Sequence, residues 1–116
     1  MKKIAIIIAS HQGVAPALII HRELPETELF YAGEGQENPC TSIDSIPAFV
    51  ATNFTRYEGL VFIGALGICV RAIAPCIQSK YTDPAVVNID STGKHVISVL
   101  SGHVGRANEL TRRLAS

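Results

Sequence analysis

The sequence holds 116 residues, 47% of them apolar and 17% charged, with ten basic side chains against ten acidic ones. That length gives room for one domain of ordinary size, and the composition excludes a disordered chain. The even charge balance excludes a global field for nucleic acid or an anionic membrane, so recognition of any anion has to be local.

The elements follow in order. Residues 4–9 form a continuous apolar run after Lys2 and Lys3. Such a run predicts a strand buried on both faces and is too short for the apolar region of a signal peptide. Gly13 breaks it, and residues 14–24 have helical spacing up to Pro25. Residues 28–32 are a short second strand, and 33–42 a polar, turn-rich stretch containing Pro39. Residues 43–57 read as an amphipathic helix, with Ile46, Phe49, Val50 and Phe54 on one side. Residues 59–64 repeat the first strand's pattern. The uncharged stretch 59–70 around them is too short to cross a membrane.

A glycine-punctuated turn leads into a helix over 66–74, stopped by Pro75. A polar loop follows at 80–84. Residues 86–90 and 95–100 are β-rich and joined by Ser91-Thr92-Gly93-Lys94, which signals a hairpin. Residues 107–115 close the chain as a helix, with Glu109 and Arg113 at i,i+4 spacing. Alternating strands and helices imply a single α/β domain over 1–116: a three-layer, mostly parallel, Rossmann-like sheet with a C-terminal β-hairpin.

Cys40, Cys69 and Cys76 contain no C-x-x-C pair. They read as reduced thiols of a cytoplasmic protein, too sparse for zinc, so no metal site is expected.

In open α/β sheets, ligands bind beyond the carboxyl ends of the strands. Three loops are expected there: residues 10–13 with His11, 64–67, and 101–105. Gly64 and Gly67 permit a tight turn whose helix start attracts anions. Arg71, one turn on, suits a carboxylate, though a tightly packed helix with a solvated arginine fits the spacing equally well. Ser101-Gly102-His103-Val104-Gly105 places a histidine between glycines. His103 suits a general base or acid and Ser101 a donor or nucleophile, against a structural histidine bonded to a loop carbonyl. In the 80–84 loop, Lys80 could neutralise a carboxylate and Asp83 orient a partner; a capped turn is the competing reading. His21 and His95 are expected to be structural. The first loop lacks G-x-G-x-x-G and no Walker pattern occurs, which disfavours nucleotide binding.

Three segments together carry a resemblance: 64–75 (GALGICVRAIAP), 82–87 (TDPAVV) and 100–108 (LSGHVGRAN). In order and spacing the chain resembles the N-terminal region of the CbiG family of cobalamin biosynthesis. The resemblance implies a cobalt-precorrin 5A hydrolase, which opens a δ-lactone on a cobalt-tetrapyrrole and releases acetaldehyde. With that activity, His103 and Ser101 are the residues expected to be catalytic. Gly64, Gly67, Arg71, Lys80, Asp83, Gly102, Gly105 and Arg106 are those expected to bind the carboxylate-rimmed substrate. Arg106 stands where the family usually has a second glycine. No cofactor is implied, because the substrate carries the cobalt. The implied partners are that cobalt-precorrin and a C-terminal domain of the same enzyme lying outside this chain, with a homodimer compatible. A non-catalytic tetrapyrrole-binding or assembly module is the alternative. The loops at 64–67, 80–83 and 101–105 are expected to converge on one cleft.

Overall fold

A computed structural model describes residues 4–34, 39–100 and 112–114. Strand β1 (Ile4–Ile8) has every residue buried, as its unbroken apolar run requires. A 3-10 turn at His11–Gly13 leads into helix α1 (Val14–Glu23), which returns the chain to β2 (Thr27–Ala32). Next come β3 (Cys40–Ile43), α2 (Ile46–Asn53), β4 (Gly59–Ile63), also fully buried, and α3 (Leu66–Ile73). A second 3-10 turn, Ala74–Cys76, precedes the strands β5 (Ala85–Ile89) and β6 (Val96–Leu100).

The six strands form one sheet in the order β3-β2-β1-β4-β5-β6. All neighbours are parallel except β5 and β6, the expected hairpin. The chain winds outward from β1 to β3, then returns to place β4 on the other side of β1. That reversal between β1 and β4 is the switch point at which such sheets open a crevice.

Pleating sends alternate side chains to opposite layers. Ile4, Ile6 and Ile8 pack with Ala17 of α1 and with Val61, Ile63, Val87 and Ile89, and Leu114 rests on the same layer. Ala5 and Ile7 face the other way, with Val50 of α2 and Cys69, Ala72 and Ile73 of α3. The three layers are therefore real. Burying one such Ile or Leu side chain stabilises the fold by roughly 1.5–3 kcal/mol, so among the described residues the fully buried strands β1, β4 and β5 anchor the sheet.

Two expectations change. The polar stretch 33–42 contains the beginning of β3, a four-residue strand whose burial alternates poorly. Being an edge strand with a partner on one side only, it needs little apolar character. The helix expected over 43–57 is also shorter. Ile43 belongs to β3, and Ser45 caps α2 by accepting from the Ala48 N–H at 3.2 Å, with Pro47 in the first turn. Of the terminal helix, residues 112–114 are described and are helical.

Candidate functional site

At the carboxyl edge, the switch point has a floor of close backbone contacts. Gly64 has φ +150°, and a Cβ added there would lie 2.8 Å from the Ala9 Cβ. Its N–H donates to the Ile89 carbonyl at 2.9 Å, so the turn is tied to β5 as it leaves β4. Asn88, 3% exposed, donates from Nδ2 to the Gly64 carbonyl at 3.2 Å. Its Oδ1 is buried without a partner. A lone polar residue in the run Ala85–Ile89 was the sequence signal for this support, and it went unread.

Helix α3 begins at once, with Ala65 at its N-cap and no side-chain cap. Gly67 has open space where a side chain would project. Cys69, Ala72 and Ile73 turn inward, which puts Gly67 and Arg71 on the outward side. Burial pushes the Cys69 thiol up to about 12, so it stays a neutral core residue. Arg71 is exposed and makes no ion pair among the described residues. The arrangement, an uncapped helix start beside an unengaged guanidinium, suits an anionic group arriving at this edge.

The other expected loop lies at the opposite end. Residues 80–83 precede β5, and Ala85 pairs with Gly59 at the amino end of β4. The length of a five-residue strand, about 16 Å, therefore separates Lys80 and Asp83 from Gly64 and Gly67. These two loops do not form one cleft. Asp83 is 6% exposed, and its Oδ2 accepts from the N–H groups of Gln78 at 3.0 Å and Ser79 at 3.2 Å. Its carboxylate closes the loop and is not presented to a ligand, so the capped turn is the correct reading. Lys80 is exposed, with Nζ 5.5 Å from the Tyr81 ring centroid.

The third loop leaves β6 at Leu100, which pairs with Val86 near the start of β5. Because β6 is antiparallel, its carboxyl end is at the amino edge of the sheet, against the expectation that all three loops leave the same side. Ser101, Gly102, His103, Gly105 and Arg106 lie outside the described residues.

The hairpin brings further groups to the carboxyl edge. His95 Nδ1 lies 3.1 Å from Asp90 Oδ2, and Asp90 Oδ1 accepts from the backbone N–H groups of Lys94 and His95. The His95 ring first, then these backbone donors and Thr92, hold the Asp90 carboxyl below the usual carboxylate range. Ser91 donates to Gln12 Oε1 at 3.3 Å and so joins the hairpin to the loop carrying His11. His21 Nδ1 lies 2.8 Å from the buried Thr27 hydroxyl, a structural role as expected. Among the described residues no three His, Cys, Asp or Glu side chains gather as a metal cluster would require. No helix among them is long and apolar enough to cross a membrane.

The family described as "Cobalamin synthesis G N-terminal" matches residues 48–116, from the first turn of α2 onward. The chain belongs to this family. It is 46% identical to a cobalt-precorrin-5A hydrolase of Salmonella typhimurium, over 98% of the chain and 32% of that protein. It is 40% identical to a cobalt-precorrin-5A hydrolase of Priestia megaterium, over 97% of the chain and again 32% of the relative. The crystal structure of a cobalamin biosynthesis protein G homolog from Sulfolobus solfataricus superposes with a TM-score of 0.73 at 30% identity, over 97% of this chain and 33% of that one. The chain thus spans about a third of the length of its relatives. Family membership agrees with the three segments from which the resemblance was drawn, two of which lie wholly within described residues. The third carries Ser101 and His103.

Proposed function

We propose that this chain is the N-terminal third of a cobalt-precorrin 5A hydrolase, acting on a cobalt-containing tetrapyrrole. The observation that carries the reading is identity of 40–46% along nearly the whole chain to two proteins of that name. The geometry fits it: the reversal of strand order between β1 and β4, an uncapped α3 start and an unengaged Arg71 suit a broad substrate rimmed by carboxylates. Water adds across the lactone ester, leaving a carboxylate and a hydroxyl; a carbon–carbon bond then breaks and the two-carbon fragment leaves as acetaldehyde. His103 takes the proton from the attacking water or from Ser101. Gly67 at the α3 start and Arg71 hold carboxylates over the turn that Gly64 shapes, while Lys80, Gly102, Gly105 and Arg106 serve a second part of the substrate. The cobalt travels with the substrate.

A macrocycle lying against a 116-residue domain keeps one face in water. Lactone opening benefits from a closed site, so the isolated chain binds and turns over poorly. The test is acetaldehyde release from the cobalt-precorrin, by the isolated chain and by a full-length protein carrying it. His103→Gln in the full-length protein should lower turnover by about 10²–10⁴-fold with the fold intact. Full activity in that variant removes the assignment of the base. Binding with no acetaldehyde from either protein leaves only a tetrapyrrole-binding module.

A further inference from the structure

Helix α3 has the wrong surface for a helix facing water. Across residues 65–79 the only charged side chain is Arg71. Leu66 and Val70 are 40% and 44% exposed, and Ile77, just beyond the helix, is 46% exposed. Leu66 and Val70 are one turn apart, on the side of α3 next to the buried Ile73, whereas Gly67 and Arg71 share a different side. A helix whose outward face stays apolar is ordinarily covered by other protein. The contrast with α1 supports this: its exposed residues include Arg22 and Glu23 along with Ile19.

We infer that the Leu66–Val70 side of α3, with Ile77, is the docking surface for the polypeptide that family members carry beyond the third matched by this chain. The occupant follows from length. Both curated relatives and the solved homolog align with essentially all of this chain, which accounts for only 32–33% of theirs. About two-thirds of each relative therefore lies outside the third that this chain matches, and this is a side with apolar side chains and no charge on which such a body can pack. The Gly67–Arg71 side stays open beside the docked body, so Arg71 faces the seam between the two. The inference rests on family membership and not on the hydrolytic chemistry, so labelling and acetaldehyde release can fail separately.

The test compares maleimide labelling of Val70→Cys in two settings. One is the isolated chain; the other is a chimera in which this chain replaces the matched third of the Salmonella relative. Thr52→Cys, exposed on α2 in the same layer, is the control, and labelled sites are located by peptide mass mapping because Cys76 is partly exposed. Val70→Cys should label freely in the isolated chain and at least tenfold more slowly in the chimera, with Thr52→Cys fast in both. Equal labelling in the two settings overturns the inference. So does equal slowing of Thr52→Cys, which would be general shielding. Slow labelling in the isolated chain that deepens with concentration assigns the surface to a second copy and overturns it too. Should the chimera fail to fold, a cysteine at the matched position of the intact Salmonella relative, compared with the isolated chain, decides between the same outcomes.

Discussion

At the carboxyl edge of the sheet the backbone itself closes the turn: Gly64 adopts φ +150°, presses against Ala9, and passes its carbonyl to Asn88. At the amino edge a side chain does that work, with the Asp83 carboxylate holding the N–H groups of Gln78 and Ser79. The first arrangement leaves an uncapped helix start and the Arg71 side chain facing outward, whereas the second draws its own acid inward. Polar residues therefore differ in meaning between the two edges. A carboxylate satisfied by its own loop is architecture, and a helix start that no side chain caps is available for a ligand.

The largest effect should come from Gly64→Ala, which strains the backbone and adds an atom 2.8 Å from the Ala9 Cβ. A loss of about 2–5 kcal/mol in folding stability is expected from the two causes together, read as a lower thermal midpoint. Gly67→Ala, three residues on, should instead gain about 0.5–1 kcal/mol, because a helical alanine there meets nothing within 4 Å. Similar losses at both positions would mean that Gly67 is confined as tightly as Gly64, and the openness of this edge would be wrong.

Asp83→Ala comes next. It leaves the N–H groups of Gln78 and Ser79 without their acceptor, and a stability loss of about 2–3 kcal/mol should follow. Substrate affinity measured well below the melting temperature should hardly move. A folded variant of normal stability that no longer binds would return Asp83 to the ligand site and erase the difference between the edges.

Arg71→Ala should behave in the opposite way. Stability should stay within about 0.5 kcal/mol, since the side chain is exposed and makes no ion pair among the described residues. Tetrapyrrole affinity should fall by about 1.5–3 kcal/mol, the usual worth of a hydrogen bond to a charged group. Calorimetric binding of the substrate checks the second part; unchanged affinity would make Arg71 a solvated cation.

The sheet was legible because its strands announce themselves. Continuous apolar runs at β1 and β4 fixed both strands and their central position, and the Ser91–Lys94 turn fixed the hairpin. The site was read less well, for a topological reason. Placing a loop after a strand says which edge it occupies only if the strand's direction is known, and β6 runs against the others. The same sequence that announced the hairpin therefore implied that β6 ends at the amino edge, the edge from which Lys80 and Asp83 lead into β5. Asn88 and the Asp90–His95 pair were passed over because each is a single polar residue at a strand or turn, with no spacing motif to mark it. His95, expected to be structural, does organise its hairpin together with Asp90.

The smallest effect concerns that hairpin. His95 and the backbone donors hold the Asp90 carboxyl below its ordinary value, so the folded chain keeps this group ionised at a pH where the unfolded chain protonates it. A lowered pKa contributes stability that is fully present above the unfolded value, near 3.9 for Asp, and is lost as the pH falls from there towards the folded value. Replacing Asp90 by Asn removes this contribution while leaving an oxygen to accept from Lys94 and His95. Denaturation of both proteins across pH 2–7 should therefore give a constant difference above about pH 5 and converging curves below about pH 4. Other carboxylates lower both curves alike, so the difference isolates Asp90. Parallel curves through the acid range would mean that Asp90 has an ordinary affinity for protons and that the hairpin is held by turn geometry alone. Converging curves would show that the carboxyl edge, whose turn at Gly64 relies on backbone shape, fixes its outer hairpin by charge, on a group that remains at the surface where Asp83 is buried.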